Sequence, residues 1–140
     1  MNGINKPRVL IGGIISGLIL AVGEFLLSKP VLGERWATVL LGHNLPQVTM
    51  SRVGIFIGLN LLLGLALVCL YASIRPRYGA GPKTALRAGL LVWFLVWLYG
   101  YGMGWLMGLF PCGMAATAVV WGLVEVPLAA LAGASLYKEK

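Results

Sequence analysis

Aspartate is missing altogether from this 140-residue chain, and four glutamates stand against eleven Lys and Arg. Charged residues make up 11% of the sequence, where a soluble globular domain carries roughly 25%. Two cysteines, Cys69 and Cys112, are too few for a disulfide scaffold, and no CxxC pair offers thiol redox chemistry. The one histidine, His43, lies outside every long apolar run, which argues against a membrane-buried bis-His haem. There is no phosphate loop, nucleophile–base pair or clustered metal motif, so the chain does not read as an enzyme and no cofactor is expected. What is present is apolar: 59% of residues are hydrophobic and the mean hydropathy is +0.90. A chain of this size lacks the interior volume to hide so much apolar surface, so the surplus calls for lipid.

Four apolar segments run about Val9–Leu27, Val53–Ile74, Thr84–Phe110 and Met114–Tyr137. Each is near the ~20 residues that cross a bilayer core as a helix. None alternates as a barrel strand would. The expected fold is all-α: an integral membrane four-helix bundle forming a single domain over residues 1–140. The net charge of +7 does not point to nucleic acid, because the basic residues bracket the apolar runs. Lys6, Arg8, Arg75, Arg77, Lys83, Arg87, Lys138 and Lys140 fall on one side, and Lys29, Arg35 and Arg52 on the other. By the positive-inside rule both termini are cytoplasmic. Lys6, Arg8 and the small-residue stretch Ala21-Val22-Gly23 imitate a cleaved signal, but the apolar run continues through Leu27 and reads as an uncleaved first span.

The loops differ in kind. Pro76 and Pro82 break a short basic turn, while Phe110-Pro111-Cys112-Gly113 reads as a tight hairpin on the other side. Within the long first loop, Gly33–Gly42 puts Trp36 and Leu40 on one helical face with Gly42 as a stop, which predicts a short helix at the outer interface. Cys69 and Cys112 are expected on opposite sides, too far apart to pair. A faint echo, Leu70-Tyr71 and Leu136-Tyr137 each followed by basic residues, is of a kind that composition alone can produce.

Twenty glycines would weaken helices in water, but in lipid they let helix backbones approach. Gly13/Gly17, Gly54/Gly58, Gly100/Gly104 and Gly104/Gly108 have GxxxG spacing, and Ala118, Gly122, Glu125, Ala129 and Ala132 share one side of the last span. These residues are expected to pack helix on helix.

Two glutamates fall inside the spans: Glu24 in the outer quarter of the first and Glu125 near the middle of the fourth. An ionisable group at mid-bilayer costs ~2.5–3.5 kcal/mol on insertion scales and is normally buried in protein and paired. Asn60, Tyr99 and Tyr101 reach comparable outer depths. Pro127, two residues beyond Glu125, cannot donate to the Leu123 carbonyl and is expected to kink the helix there. Two alternatives stand. Glu24 and Glu125 bind a proton or cation in an externally open cavity, or they are protonated carboxyls that hold the bundle in register.

Trp93, Trp97, Tyr101 and Trp105 recur every four residues along the third span, a stripe that could meet a partner helix, lipid, quinone or pigment. Met50, Met103, Met107, Met114, His43 and Cys112 cluster toward the outer side. Thioether, thiol and imidazole suit Cu(I), yet the residues are scattered over three segments and no metal site is assigned to them.

Three stretches carry a resemblance: Arg8-Val-Leu-Ile-Gly-Gly with Gly23-Glu24-Phe-Leu-Leu, then Tyr71-Ala-Ser-Ile-Arg-Pro-Arg-Tyr-Gly-Ala-Gly-Pro-Lys83-Thr-Ala, then Trp121-Gly-Leu-Val-Glu125-Val-Pro127-Leu-Ala. Together they resemble a family of small uncharacterised bacterial four-span integral membrane proteins. The resemblance implies a bacterial inner (cytoplasmic) membrane and four spans, and it transfers no catalytic residues. Small multidrug transporters also have four spans and a glutamate in the first, but the long outer loop and the second glutamate depart from that pattern. The expected role is a non-catalytic subunit or accessory protein within a larger membrane assembly, contacting lipid and other subunits or itself. The alternative is a small proton- or cation-coupled carrier acting as a homodimer through its intramembrane glutamates.

Overall fold

The computed structural model describes residues 3–46 and 48–138, so Lys140, counted above in the charge pattern, lies outside the described residues. These residues form five helices and no strand: α1 (Lys6–Val31), α2 (Gly33–Gly42), α3 (Met50–Tyr78), α4 (Pro82–Leu106) and α5 (Cys112–Leu136). All but α2 are long and apolar enough to cross a membrane, which makes this a multi-pass membrane protein.

Local chemistry sets the ends. Asn5 caps α1, its Oδ1 accepting from the Arg8 amide at 3.5 Å, and Pro7 sits in the first turn, where a missing N–H costs nothing. The last turn of α1, Leu27–Val31, is π-helical around Pro30, and the Leu32 amide reaches the Leu27 carbonyl at 2.8 Å. Gly79 and Gly81 have φ of +83° and +130° and turn the chain from α3 into α4. Gly108, with φ of +75°, ends α4: its amide donates to Trp105, and the Leu109 amide to Gly104, both near 2.9 Å. That pairing is a Schellman cap. The third span therefore stops at Leu106 rather than Phe110, and Gly108 acts as a helix stop instead of a packing residue.

The bundle closes on glycine. A methyl at Gly64 of α3 would overlap the Gly17 amide nitrogen and the Gly13 carbonyl of α1. At Gly12 it would come within 2.6 Å of the Gly133 carbonyl of α5, and at Gly89 of α4 within 3.1 Å of Pro127 Cα. Ser16, fully buried, donates its hydroxyl to the Ala129 carbonyl at 2.7 Å and bolts α1 to α5. Of the eight expected packing glycines, Gly13, Gly17, Gly104 and Gly122 meet neighbours, whereas Gly54, Gly58, Gly100 and Gly108 have nothing within 4 Å of an added methyl.

Both ends of the described chain meet at one end of the bundle. The Asn5 amide donates to the Tyr137 hydroxyl at 3.3 Å, and Asn5 Nδ2 donates to the Lys138 carbonyl at 3.0 Å. The Tyr71 and Tyr137 rings, the two halves of the sequence echo, pack edge to face at 6.0 Å. At the opposite end α2 lies over a second small core of Leu27, Leu32, Met114 and Ala118. Trp36 meets Phe110 edge-on at 5.5 Å, and His43 Nε2 donates to the Leu109 carbonyl at 3.3 Å.

Candidate functional site

The close α1–α3 and α1–α5 contacts bring the polar residues of the spans to one level. α1 has no side chain at Gly23, and the Glu125 carboxyl of α5 packs directly against that backbone. A methyl at Gly23 would fall 2.5 Å from the carboxyl carbon and Oε1. Glu24, the next residue, turns the other way, toward α3 and α4.

Trp97 reaches Glu24 there. It belongs to a π-helical turn, Phe94–Leu98, in which the Tyr99 amide donates to the Phe94 carbonyl. Such turns inside α-helices are rare and often mark functional positions. The Trp97 ring packs against Gly122 of α5, where a methyl would overlap the indole, and its Nε1–H donates to Glu24 Oε1 at 2.9 Å. One ring thus joins three spans. Trp93, one turn away, donates its Nε1–H to the Val119 carbonyl at 2.8 Å.

The aromatic stripe does not act as a unit. Residues spaced by four drift ~40° per step around an α-helix, and the looser π turn absorbs part of that drift. Trp93, Trp97 and Tyr101 face neighbours, while Trp105 is 48% exposed on the outer surface. Tyr99, expected beside the carboxylates, is 63% exposed and points away from them, because it lies two residues from both Trp97 and Tyr101.

The two glutamates open onto different spaces. Glu24 lines a crevice of about 270 Å³ together with Asn60, Trp97, Tyr101 and apolar side chains of α3 and α4. Asn60 spends its Nδ2 donor on the Phe56 carbonyl of its own helix at 3.0 Å. Glu125 lines a groove of about 960 Å³ between α1 and α5. Glu125 is 6% exposed, and among the described residues no side chain of another helix donates to its carboxyl. Trp121, one turn earlier on the same helix, directs its indole Nε1–H toward that carboxyl. Pro127 faces Gly89 of α4 instead of the carboxyl, and α5 runs through it as one helix.

Sequence reasoning named Glu24, Asn60, Tyr101, Glu125 and Trp97, but it did not pair Trp97 with Glu24, and it missed Gly23 and Trp121. The i, i+4 spacing of Trp121 and Glu125 was the available signal for the last. The sulfur and imidazole candidates do not converge. His43 is engaged with Leu109, Met114 is fully buried, and Met103, Met107 and Cys112 are exposed. Among the described residues no group of three or more His, Cys, Asp or Glu could hold a metal. Comparison with models of protein families, with curated proteins and with solved structures finds no match to this chain.

Proposed function

We propose that the chain is a non-catalytic subunit of a larger assembly in a bacterial inner membrane. In this reading both termini are cytoplasmic and α2 lies along the outer interface. The observation that carries it is the uncovered outer half of α3. Gly54 and Gly58 have the spacing of Gly13 and Gly17, yet nothing in the chain lies within 4 Å of a methyl on either. They are flanked by Ile55 and Leu59, both more than half exposed. In lipid there is little hydrophobic drive between helices, and association relies on close backbone approach at small residues. Elsewhere this chain uses glycine to that end, so the remaining glycine face fits a span of another membrane protein.

Extraction in native nanodiscs followed by mass spectrometry tests this. A heteromeric complex is expected, and Gly54→Leu or Gly58→Leu should release the partner while leaving the bundle intact, since neither position touches it. Recovery of a lone monomer, or of a complex indifferent to both substitutions, would overturn the reading.

A second reading rests on the position of Glu24 and Glu125 on either side of the α1 backbone. Two intramembrane carboxyls without a basic side chain among their described contacts suit a proton- or cation-coupled carrier working as a homodimer. Uptake into proteoliposomes that is abolished by Glu125→Gln would support it, and transport that survives the substitution would remove it.

A further inference from the structure

The end of the bundle where the chain termini meet gathers positive charge from four helices. Lys6 and Arg8 start α1, Arg75 and Arg77 close α3, Lys83 and Arg87 start α4, and Lys138 follows α5. The three glutamates among the described residues stand elsewhere. Glu24 and Glu125 line the two cavities, and Glu34 opens α2 at the opposite end.

Two of these cations are drawn to one ring. Tyr78 is the last residue of α3 and half exposed, and the guanidinium carbons of Arg77 and Arg87 lie over it, 5.9 and 4.7 Å from its centre. The ring quadrupole holds a guanidinium in place while its N–H groups stay available at the rim. Both arginines are exposed, and among the described residues neither donates a hydrogen bond or meets a carboxylate. Lys83 lies four residues before Arg87 and so on the same side of α4. Like charges collected around one ring, with their donors unspent, suit an anion.

The depth of the site narrows the choice of anion. Arg87 is the sixth residue of α4, ~7.5 Å along the axis from Pro82. The headgroup layer outside a bilayer core is ~5–8 Å thick on each side, so Arg87 reaches the level of lipid phosphates. Further along the same face come Leu90, Leu91 and Phe94, all exposed. One face of α4 thus passes from cationic to apolar within two turns. A free anion from water would match its first half only, whereas a phospholipid matches both.

We propose that Tyr78 and this face of α4 bind an anionic phospholipid. Its phosphodiester accepts from Arg87 and Arg77, and its acyl chains lie along Leu90, Leu91 and Phe94. Tyr78 is a positioning residue, holding both guanidiniums without touching the phosphate. The site uses none of the α3 glycines on which the subunit reading rests, so the two stand or fall separately.

The test uses the full chain in nanodiscs of phosphatidylcholine with a minor share of phosphatidylglycerol. Native mass spectrometry then reads which lipids stay bound as the discs are broken up. Phosphatidylglycerol retained well beyond its share of the mixture is expected. Arg87→Gln should lower that retention roughly tenfold, the worth of one hydrogen bond to a charged group. Arg77→Gln should lower it several-fold, and so should Tyr78→Leu, which leaves every charge in place. Arg8→Gln removes the same charge from α1 and should change it little. All four side chains are exposed, so the bundle is expected to form in each variant. Retention in proportion to the mixture would overturn the proposal. Equal losses from Arg8→Gln and Arg87→Gln would also overturn it, since they would mark a diffuse positive field with no site. Displacement of the lipid by millimolar inorganic phosphate would do the same, because the site would then hold a bare phosphate without need of acyl chains.

Discussion

Two glycines six positions apart on α3 should respond oppositely to the same substitution. At Gly64 the added methyl would meet backbone on every side: the Gly17 amide nitrogen, the Gly13 carbonyl and Gly17 Cα at 2.5 Å. Backbone cannot rotate aside, so α1 and α3 must separate by ~1 Å, and a gap of that size forfeits a quarter to a half of each dispersion contact along the seam. Overpacking of a tight interior costs ~1–3 kcal/mol, and the upper end applies here because no flexible side chain gives way. Against this, replacing Gly by Ala in a helix gains ~1 kcal/mol. The net is a loss of about 2 kcal/mol for Gly64→Ala. At Gly58 nothing lies within 4 Å, so only the helix term remains and Gly58→Ala should gain ~0.5–1 kcal/mol. The assay is reversible unfolding of the partner-free chain in mixed micelles, titrated with dodecyl sulfate and followed by circular dichroism. A Gly64→Ala protein as stable as the parent, or two variants that shift together, would refute the claim that α1 and α3 touch through their backbones.

Trp97→Phe keeps the ring over Gly122 but removes the donor to Glu24 Oε1, leaving a mostly buried carboxyl short of a partner. The same unfolding titration should show a loss of ~1–3 kcal/mol, and an unchanged midpoint would deny the bond a structural role. Gly108→Ala forces an L side chain into φ of +75° at the cap of α4, for which ~1–2 kcal/mol is expected, and the Gly100→Ala control, in open space, should show no loss. Cys112 begins α5 at the α2 end of the bundle, and Cys69 lies on the other half of α3; both are free and exposed. In cells with sealed inner membranes an impermeant maleimide should label Cys112 and spare Cys69, whereas labelling of Cys112 only after lysis would invert the proposed orientation.

The spans were legible because hydropathy is additive along a chain, and their ends shifted where local rules outrank it. α3 and α4 each start a few residues before the apolar run, since Met50-Ser-Arg and Pro82-Lys tolerate the first turn, where backbone amides need no helical partner. α4 stops early because only a glycine could take the left-handed conformation found at position 108. The glycine faces were half legible. Spacing places Gly13/Gly17 and Gly54/Gly58 each on one helical side, but it does not say whether another helix stands there. That is decided by where Gly64 falls on α3, a tertiary fact. The stripe of aromatics misled for a related reason: equal spacing suggested equal environment, while a π turn and helical drift divided it into packed and exposed members.

The same division separates the two glutamates, which composition alone presents as equivalents. Glu24 is held from across the bundle by Trp97, whose ring also covers Gly122, so removing either partner disturbs a contact shared by α1, α4 and α5. Glu125 is held by nothing of the kind. Its oxygens rest against the bare backbone of Gly23, with the Trp121 indole N–H of the same helix close by and an apolar groove beside them. A carboxyl kept only for register is expected to resemble Glu24, with its hydrogen bond made inside the fold. The position of Glu125 is set by the bare backbone of Gly23 and by the indole on its own helix, so Glu125→Gln should disturb the seam between α1 and α5 less than Glu24→Gln disturbs the contact among three spans.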